Sequence, residues 1–127
     1  MMRQLIFVDD NVTLVRVMGK ALSTNYQVKT FIHPREALVY MEDNNSELDV
    51  IISDFKMPGM NGFEVLAKAK MLKPETIRIL LTGYAEEGIL ENKELFCDAI
   101  LDKNICKSTQ DIVNVIDKLT LKKQETP

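Results

Sequence analysis

The sequence predicts an α/β protein with a single doubly wound, five-stranded parallel sheet, in the order 2-1-3-4-5, flanked by five helices. Three observations support this prediction. Apolar strand-like runs alternate with helical apolar patterns five times along the 127 residues. Three of the runs are continuously apolar, which is typical of strands buried on both faces. The other two runs are alternating or short, which is typical of strands at a sheet edge.

The strands are assigned from these burial patterns. The strands Asp49–Ser53 and Ile77–Thr82 contain the continuously apolar runs Val50–Ile52 and Ile79–Leu81, and these two runs and Leu5–Val8 are expected in the interior of the sheet. The alternating run Tyr26–Phe31 and the short run Ala99–Leu101 are expected at its edges. Because the second and fifth strands are then the edge strands, the order 2-1-3-4-5 is favoured over 3-2-1-4-5-6, which needs a sixth strand.

The helices are assigned from apolar spacing and from signals at their ends. Leu14–Leu22 has helical apolar spacing, and Pro34 suits the first turn of a second helix. Asn61 and Ser108, each with an acidic residue three positions later, resemble capping boxes that open the third and fifth helices. Residues 86 to about 96 carry a weaker pattern, which predicts the fourth helix.

Composition and charge bound the class of protein. With 46% hydrophobic and 28% charged residues, the chain has the balance of an ordinary soluble globular domain. The net charge of −3 argues against nucleic acid as a partner of this domain. No apolar run approaches the roughly 20 residues of a membrane span, and the first residues do not resemble a signal peptide. We therefore expect a cytoplasmic domain over residues 1–123, with residues 124–127 as a frayed tail or the start of a linker.

Polar side chains follow the predicted strands at the point where each strand ends. Ligands bind at this edge of doubly wound sheets, beside the switch point between the first and third strands. The polar residues are Asp9 and Asp10 after the first strand, Asp54 after the third, Thr82 at the end of the fourth, and Asp102 and Lys103 after the fifth.

These residue types together indicate phosphoryl chemistry. Three carboxylates in one pocket repel one another, and a hard divalent cation relieves that repulsion. Oxygen ligands without His or Cys favour Mg²⁺ or Mn²⁺ over zinc. Lys103 supplies a cation and Thr82 a donor, and both suit a tetrahedral phosphoryl group. Asp54 is then the candidate acceptor, because carboxylates form aspartyl-phosphate intermediates.

Each residue taken alone has a simpler structural interpretation. Asp9 and Asp10 are equally well explained as helix N-caps. Thr82 alone is better explained as a turn residue, and Lys103 alone as a solvated surface lysine. The functional interpretation depends on their combination, since four strand ends each supply a group suited to a phosphoryl site.

At these residues the sequence resembles the receiver domain of bacterial two-component response regulators. The resemblance covers about Gln4 to Lys122 and rests on the motifs "LIFVDDN", "DVIISDFKMPGMNGFEVL", "IRILLTGYA" and "ILDK". It implies a signalling domain that takes a phosphoryl group onto Asp54 from a histidine kinase or phosphotransfer protein. Such a domain is not an enzyme acting on a separate substrate.

The resemblance also implies how the metal is held. Asp10 and Asp54 would bind Mg²⁺ directly, and Asp9 would bind it through water. The backbone carbonyl of Lys56 would be a further ligand.

A conformational switch is implied as well. Thr82 would be the switch hydroxyl and Lys103 the phosphate-sensing lysine. Phosphorylation would alter the surface formed by the fourth helix, the fifth strand and the fifth helix. That surface would bind a downstream protein or an appended output domain. Dimerisation on phosphorylation is a further alternative. The sequence departs from the family pattern at several positions: Asn104 stands where proline usually follows the lysine, Ile100 stands where an aromatic switch residue is common, and Gly83 stands where Ala or Ser is usual.

Two alternatives remain open at this point. One is a small phosphatase of the haloacid dehalogenase type with Asp9 as its nucleophile, because "VDDNVT" loosely resembles the signature DxDxT. The acidic pair expected after the lysine is missing, however, and "SDFKMPGMNG" would go unexplained. The other is a degenerate receiver that is not phosphorylated, which the presence of all five site residues disfavours.

Overall fold

The structure, a computed structural model, describes residues 2–43, 48–83, 97–103 and 108–125. Five strands lie in these ranges: β1 (Arg3–Val8), β2 (Tyr26–Phe31), β3 (Val50–Ser53), β4 (Ile77–Thr82) and β5 (Ala99–Asp102). The same ranges contain the helices α1 (Val12–Leu22), α2 (Pro34–Asp43), α3 (Gly62–Leu72) and α4 (Thr109–Glu125). Helix α4 is the fifth helix of the sequence prediction. The predicted fourth helix, at residues 86–96, lies outside the described residues.

The five strands form one parallel sheet in the order β2-β1-β3-β4-β5. This confirms the predicted fold class, the strand order and the choice of the two edge strands. The carboxyl ends of the strands are in register: Val8 pairs with Ser53, and Thr82 pairs with Asp102. The residues that follow the strands therefore meet along one rim of the sheet.

The sheet has a hydrophobic core on each face. On one face, alternate residues of the interior strands pack with Val15 of α1 and Ile112 of α4. On the other face, the intervening strand residues pack with Met41 of α2 and Leu66 of α3. The interior strands are buried on both faces, which explains why their sequences are continuously apolar rather than alternating.

The helix ends agree with the sequence signals. Asn61 caps α3 in a reciprocal capping box with Glu64. At the start of α4, the backbone N–H of Asp111 donates to Ser108 Oγ (3.4 Å). Helix α4 continues to Glu125, two residues past the predicted end of the domain at residue 123. Among the described residues, no helix combines the length and the apolar character needed to cross a membrane.

Candidate functional site

The rim residues are held by an extension of the sheet's hydrogen bonding. Three residues that directly follow a strand each donate their backbone N–H to the end of the neighbouring strand. These bonds run from Asp9 to the Phe31 carbonyl (3.1 Å), from Asp54 to the Val8 carbonyl (2.9 Å) and from Lys103 to the Thr82 carbonyl (2.9 Å). The parallel hydrogen-bond ladder thus continues one residue beyond the strands. The main chain that carries the rim side chains is therefore held in place.

Four of the predicted site residues come together in space. Lys103 Nζ lies 2.7 Å from Asp9 Oδ2 and 3.2 Å from Asp54 Oδ1, so one ammonium bridges two carboxylates. One carboxylate oxygen each from Asp9, Asp10 and Asp54 lies within 4.8 Å of those of the other two. Asp9 and Asp54 are buried, whereas Asp10 is exposed.

In this cluster the charge of Lys103 does not fully offset the cost of burying two carboxylates side by side. Burial raises the pKa of Asp54, and the charge of Asp9 raises it further; Lys103 opposes both effects without cancelling them. Burial lowers the pKa of Lys103, but the hydrogen bonds and charges of Asp9 and Asp54 outweigh it, so the pKa is raised. Lys103 is therefore charged at neutral pH. Lys103 is shared between two buried carboxylates, and its charge does not outweigh the effects of burial and of Asp9 on the ionised form of Asp54.

The donor set fits a hard divalent cation. All three side chains supply carboxylate oxygens, which Mg²⁺ and Mn²⁺ prefer to nitrogen or sulfur. Two of the carboxylates are buried, and a cation would offset the charge that Lys103 leaves uncompensated. Asp10 is exposed and leaves the cluster open to solvent on one side, as required by a metal that keeps several waters.

The other predicted site residues lie around this cluster. Thr82 is fully buried at the end of β4, next to Lys103 in the hydrogen-bonded ladder. Lys56 is exposed in the loop two residues after Asp54. Ile100 is partly buried and packs against the core formed with α2 and α3. Asn104 lies outside the described residues.

The loop after Asp54 needs glycine at two positions for different reasons. Gly59 has a φ of +84°, a left-handed conformation that disfavours side chains. Gly62, the first residue of α3, is needed for space, because a Cβ there would lie 2.2 Å from the carbonyl oxygen of Asp54. Gly62 also donates its N–H to the Phe55 carbonyl (2.7 Å). Helix α3 therefore starts in direct contact with the main chain of Asp54.

Two residues near the site were missed by the sequence reasoning. Asn11, rather than Asp9 or Asp10, caps α1, since its side chain accepts from Leu14 N. The helix-cap interpretation of the two aspartates was therefore wrong. Ser53 is fully buried, and its hydroxyl donates to the Asp54 carbonyl (2.9 Å). A polar residue at the end of an otherwise apolar strand was the signal that could have revealed it.

The fold and the polar residues at the rim of the sheet together define a class of protein. The molecule is a doubly wound α/β domain with an acidic cluster and a lysine beyond the carboxyl ends of its strands. A family model described as the response regulator receiver domain matches residues 5–117. The chain belongs to this family, and it is a receiver domain of two-component signalling.

Known relatives and structures agree with this assignment. The two-component response regulator ARR10 of Arabidopsis thaliana is 28% identical over 127 residues, which cover 97% of this chain and 23% of that protein. A CheY-like receiver domain protein from Methanospirillum hungatei superposes with a TM-score of 0.86 at 24% identity, with full coverage of both chains. The response regulator TrrA of Thermotoga maritima, solved with Mg²⁺ and BeF, has a TM-score of 0.75 at 25% identity, covering 91% of this chain and 99% of that one. The chain spans between 7% and 23% of the length of the first curated relatives it matches.

Proposed function

We propose that Asp54 accepts a phosphoryl group from a phosphohistidine of a histidine kinase or phosphotransfer protein, in a reaction that requires Mg²⁺ or Mn²⁺. The observation that carries this proposal is the bridge from Lys103 Nζ to Asp9 Oδ2 (2.7 Å) and Asp54 Oδ1 (3.2 Å), with Asp10 beside it. The Lys103 ammonium does not fully offset the two buried carboxylates, and a divalent cation would supply further positive charge.

In the proposed step, a carboxylate oxygen of Asp54 forms a bond to phosphorus while the P–N bond to the donor histidine breaks. The electron pair of that bond leaves with the imidazole. The ladder bond from Asp54 N to the Val8 carbonyl holds the nucleophile in place at the rim. Lys103 favours the ionised form of Asp54 and places a positive charge where the phosphoryl oxygens would arrive.

Asp9, Asp10 and Asp54 would hold the metal, with the Lys56 carbonyl as a further ligand. The metal would neutralise phosphoryl oxygens and offset the charge of the three carboxylates. After transfer, the Lys103 ammonium would exchange its contact with the Asp54 carboxylate for one with a phosphoryl oxygen. The Thr82 hydroxyl would donate to another phosphoryl oxygen.

The same site would act as a switch. Because Lys103 directly follows β5 and Thr82 ends β4, their movement toward a phosphoryl group would displace the surface around β5 and α4. That surface would bind a downstream protein or an output domain in the same chain, or a second receiver. Hydrolysis of the phosphoryl group would return Asp54 to its unmodified state. The domain would have no separate substrate, and it would act in the cytoplasm.

The phosphatase alternative, with Asp9 as nucleophile, is less well supported. Both oxygens of Asp9 are already engaged: Oδ1 accepts from the N–H of Asn11 (2.9 Å), and Oδ2 contacts Lys103. The family match over residues 5–117 also accounts for "SDFKMPGMNG", which the phosphatase signature leaves unexplained.

Direct labelling tests the proposal. The protein is incubated with acetyl phosphate and Mg²⁺, the acyl phosphate is reduced with borohydride, and the modified residue is located by peptide mass. We expect one phosphoryl group, on Asp54, and none on Asp54→Ala or in the presence of a chelator.

Asp9→Asn serves as the companion variant. In a receiver it should weaken metal-dependent labelling while the residual label stays on Asp54. A label found on Asp9 in the wild type would instead establish the phosphatase mechanism.

A further inference from the structure

The hydroxyl of Ser53 is a buried polar group that takes no direct part in the proposed phosphoryl transfer. Ser53 is fully buried at the end of β3, where its partners in register are Val8 of β1 and Leu80 of β4. Both partners belong to the core on the α2 and α3 side, so the hydroxyl lies in apolar surroundings. A hydroxyl in such a place must find an acceptor, because an unpaired buried hydroxyl is costly.

The acceptor is the carbonyl oxygen of Asp54, at 2.9 Å. This carbonyl lies one residue beyond the last paired residue of β3. It is confined on a second side by Gly62, whose missing Cβ would lie 2.2 Å from the same oxygen. The N–H of Asp54 is bonded to the Val8 carbonyl. Both backbone polar groups of Asp54 are therefore held.

We propose that Ser53 is a positioning residue for Asp54, acting through the main-chain carbonyl rather than through the carboxylate. This inference rests on the proposed role of Asp54 as phosphoryl acceptor. The peptide group that follows Asp54 can rotate only by breaking the Ser53 bond or by moving against Gly62. Its orientation sets the direction in which the Asp54 side chain leaves the main chain, and a misplacement of about 1 Å can slow a positioned reaction by on the order of 100-fold.

The test uses Ser53→Ala and measures the Mg²⁺-dependent labelling rate as a function of acetyl phosphate concentration. We expect the maximal rate to fall roughly tenfold, which is intermediate on the scale of positioning effects. The donor concentration at half-maximal rate should stay the same, since Ser53 lies beneath the rim and does not contact the donor.

Thr76→Val is the matched control. The Thr76 hydroxyl is also buried and also donates to a backbone carbonyl, that of Leu48, at 2.9 Å, but it lies at the opposite end of the sheet. Both substitutions remove the same kind of bond, so both should lower the melting temperature to a similar extent. Only Ser53→Ala should slow labelling of the folded protein.

Ser53→Cys separates hydrogen bonding from packing, because it fills the position with a weak donor. We expect it to remain slow. Restoration of the wild-type rate by cysteine, or equal slowing by Ser53→Ala and Thr76→Val, would overturn the inference. If the wild type is not labelled on Asp54 at all, the proposed function fails; if it is labelled and both Ser53 variants match it, only this inference fails.

Discussion

At the scale of single residues, the site contains a carboxylate in an unfavourable place. Asp54 is buried beside Asp9, and the ammonium of Lys103 is shared between the two carboxylates. Folding therefore destabilises the ionised form of Asp54 relative to the unfolded chain, and the pKa of Asp54 is raised. At neutral pH the ionised Asp54 carboxylate therefore lowers the free energy of unfolding of the metal-free protein.

Asp54→Asn is expected to stabilise the metal-free protein at neutral pH. Because the folded pKa of Asp54 is raised, its ionisation lowers the free energy of unfolding as pH rises above the usual carboxyl pKa of about 4. The amide avoids this penalty, so the gain should be about 0.5–2 kcal/mol at pH 7. It should vanish at acid pH, where Asp54 is protonated in both states. Urea denaturation in chelator at several pH values measures this difference.

Glu75→Gln is the control for this prediction, because Glu75 is exposed in the loop before β4. Its effect should stay within about 0.5 kcal/mol at every pH. A stabilisation by Asp54→Asn that is independent of pH would contradict the electrostatic explanation.

At the scale of elements, the contact between α3 and the end of β3 shapes the site. The helix is aligned by the Asn61 capping box and starts with Gly62 against the Asp54 carbonyl. The sequence motif revealed the cap, because a capping box is a local pattern. It did not reveal that Gly62 serves close approach rather than a left-handed turn, because that distinction depends on packing between two elements.

Gly62→Ala is expected to be destabilising by roughly 1–3 kcal/mol, as for other overpacked sites. The new methyl would lie 2.2 Å from the Asp54 carbonyl oxygen and 2.6 Å from Leu80 Cδ1, so either α3 or the loop must move. The midpoint of urea denaturation measures the loss, and the labelling rate of Asp54 should fall with it.

Gly83→Ala is the control within the same chain. A Cβ at Gly83 meets none of the described residues within 4 Å, and Gly83 does not have a positive φ. The unfolding midpoint should change little. Equal destabilisation by the two substitutions would contradict the explanation by contact with the Asp54 carbonyl.

At the scale of the whole molecule, the acidic cluster joins parts of the chain that only the sheet brings together. Asp9 follows β1, Asp54 follows β3 and Lys103 follows β5. A cation bound by the carboxylates would therefore stabilise the folded state as a unit, because the unfolded chain does not hold them near one another.

Mg²⁺ is expected to raise the free energy of unfolding of the whole domain. At a free concentration 100 times the dissociation constant, the increase should be about 2.7 kcal/mol. Thermal melts across a Mg²⁺ titration, compared with KCl at matched ionic strength, measure it. Asp10→Asn should remove most of the increase, and a rise of equal size in KCl would show that screening rather than binding is responsible.

Much of this protein could be predicted because the relevant signals are local. Strands that are buried on both faces have continuous apolar runs. The predictions of the interior strands, the edge strands and the strand order were therefore correct. The polar residues after those strands could be assigned to one rim because parallel strands end at the same edge. The role of Asn11 was missed, since the neighbouring aspartates are equally good caps by type and only the main-chain geometry selects among them.

The sequence by itself determined the strand order, the family and the set of residues at the rim, because alternation of burial and the position of polar residues after strands are read within short windows. Only the tertiary structure decided how those residues act on one another. The contact of Lys103 with Asp9 joins residues 94 positions apart. The hydrogen bond from Ser53 to the Asp54 carbonyl and the close approach of Gly62 to it are both sensitive to shifts of a few tenths of an ångström. Such distances result from packing of the two cores against the sheet, and no local pattern encodes them.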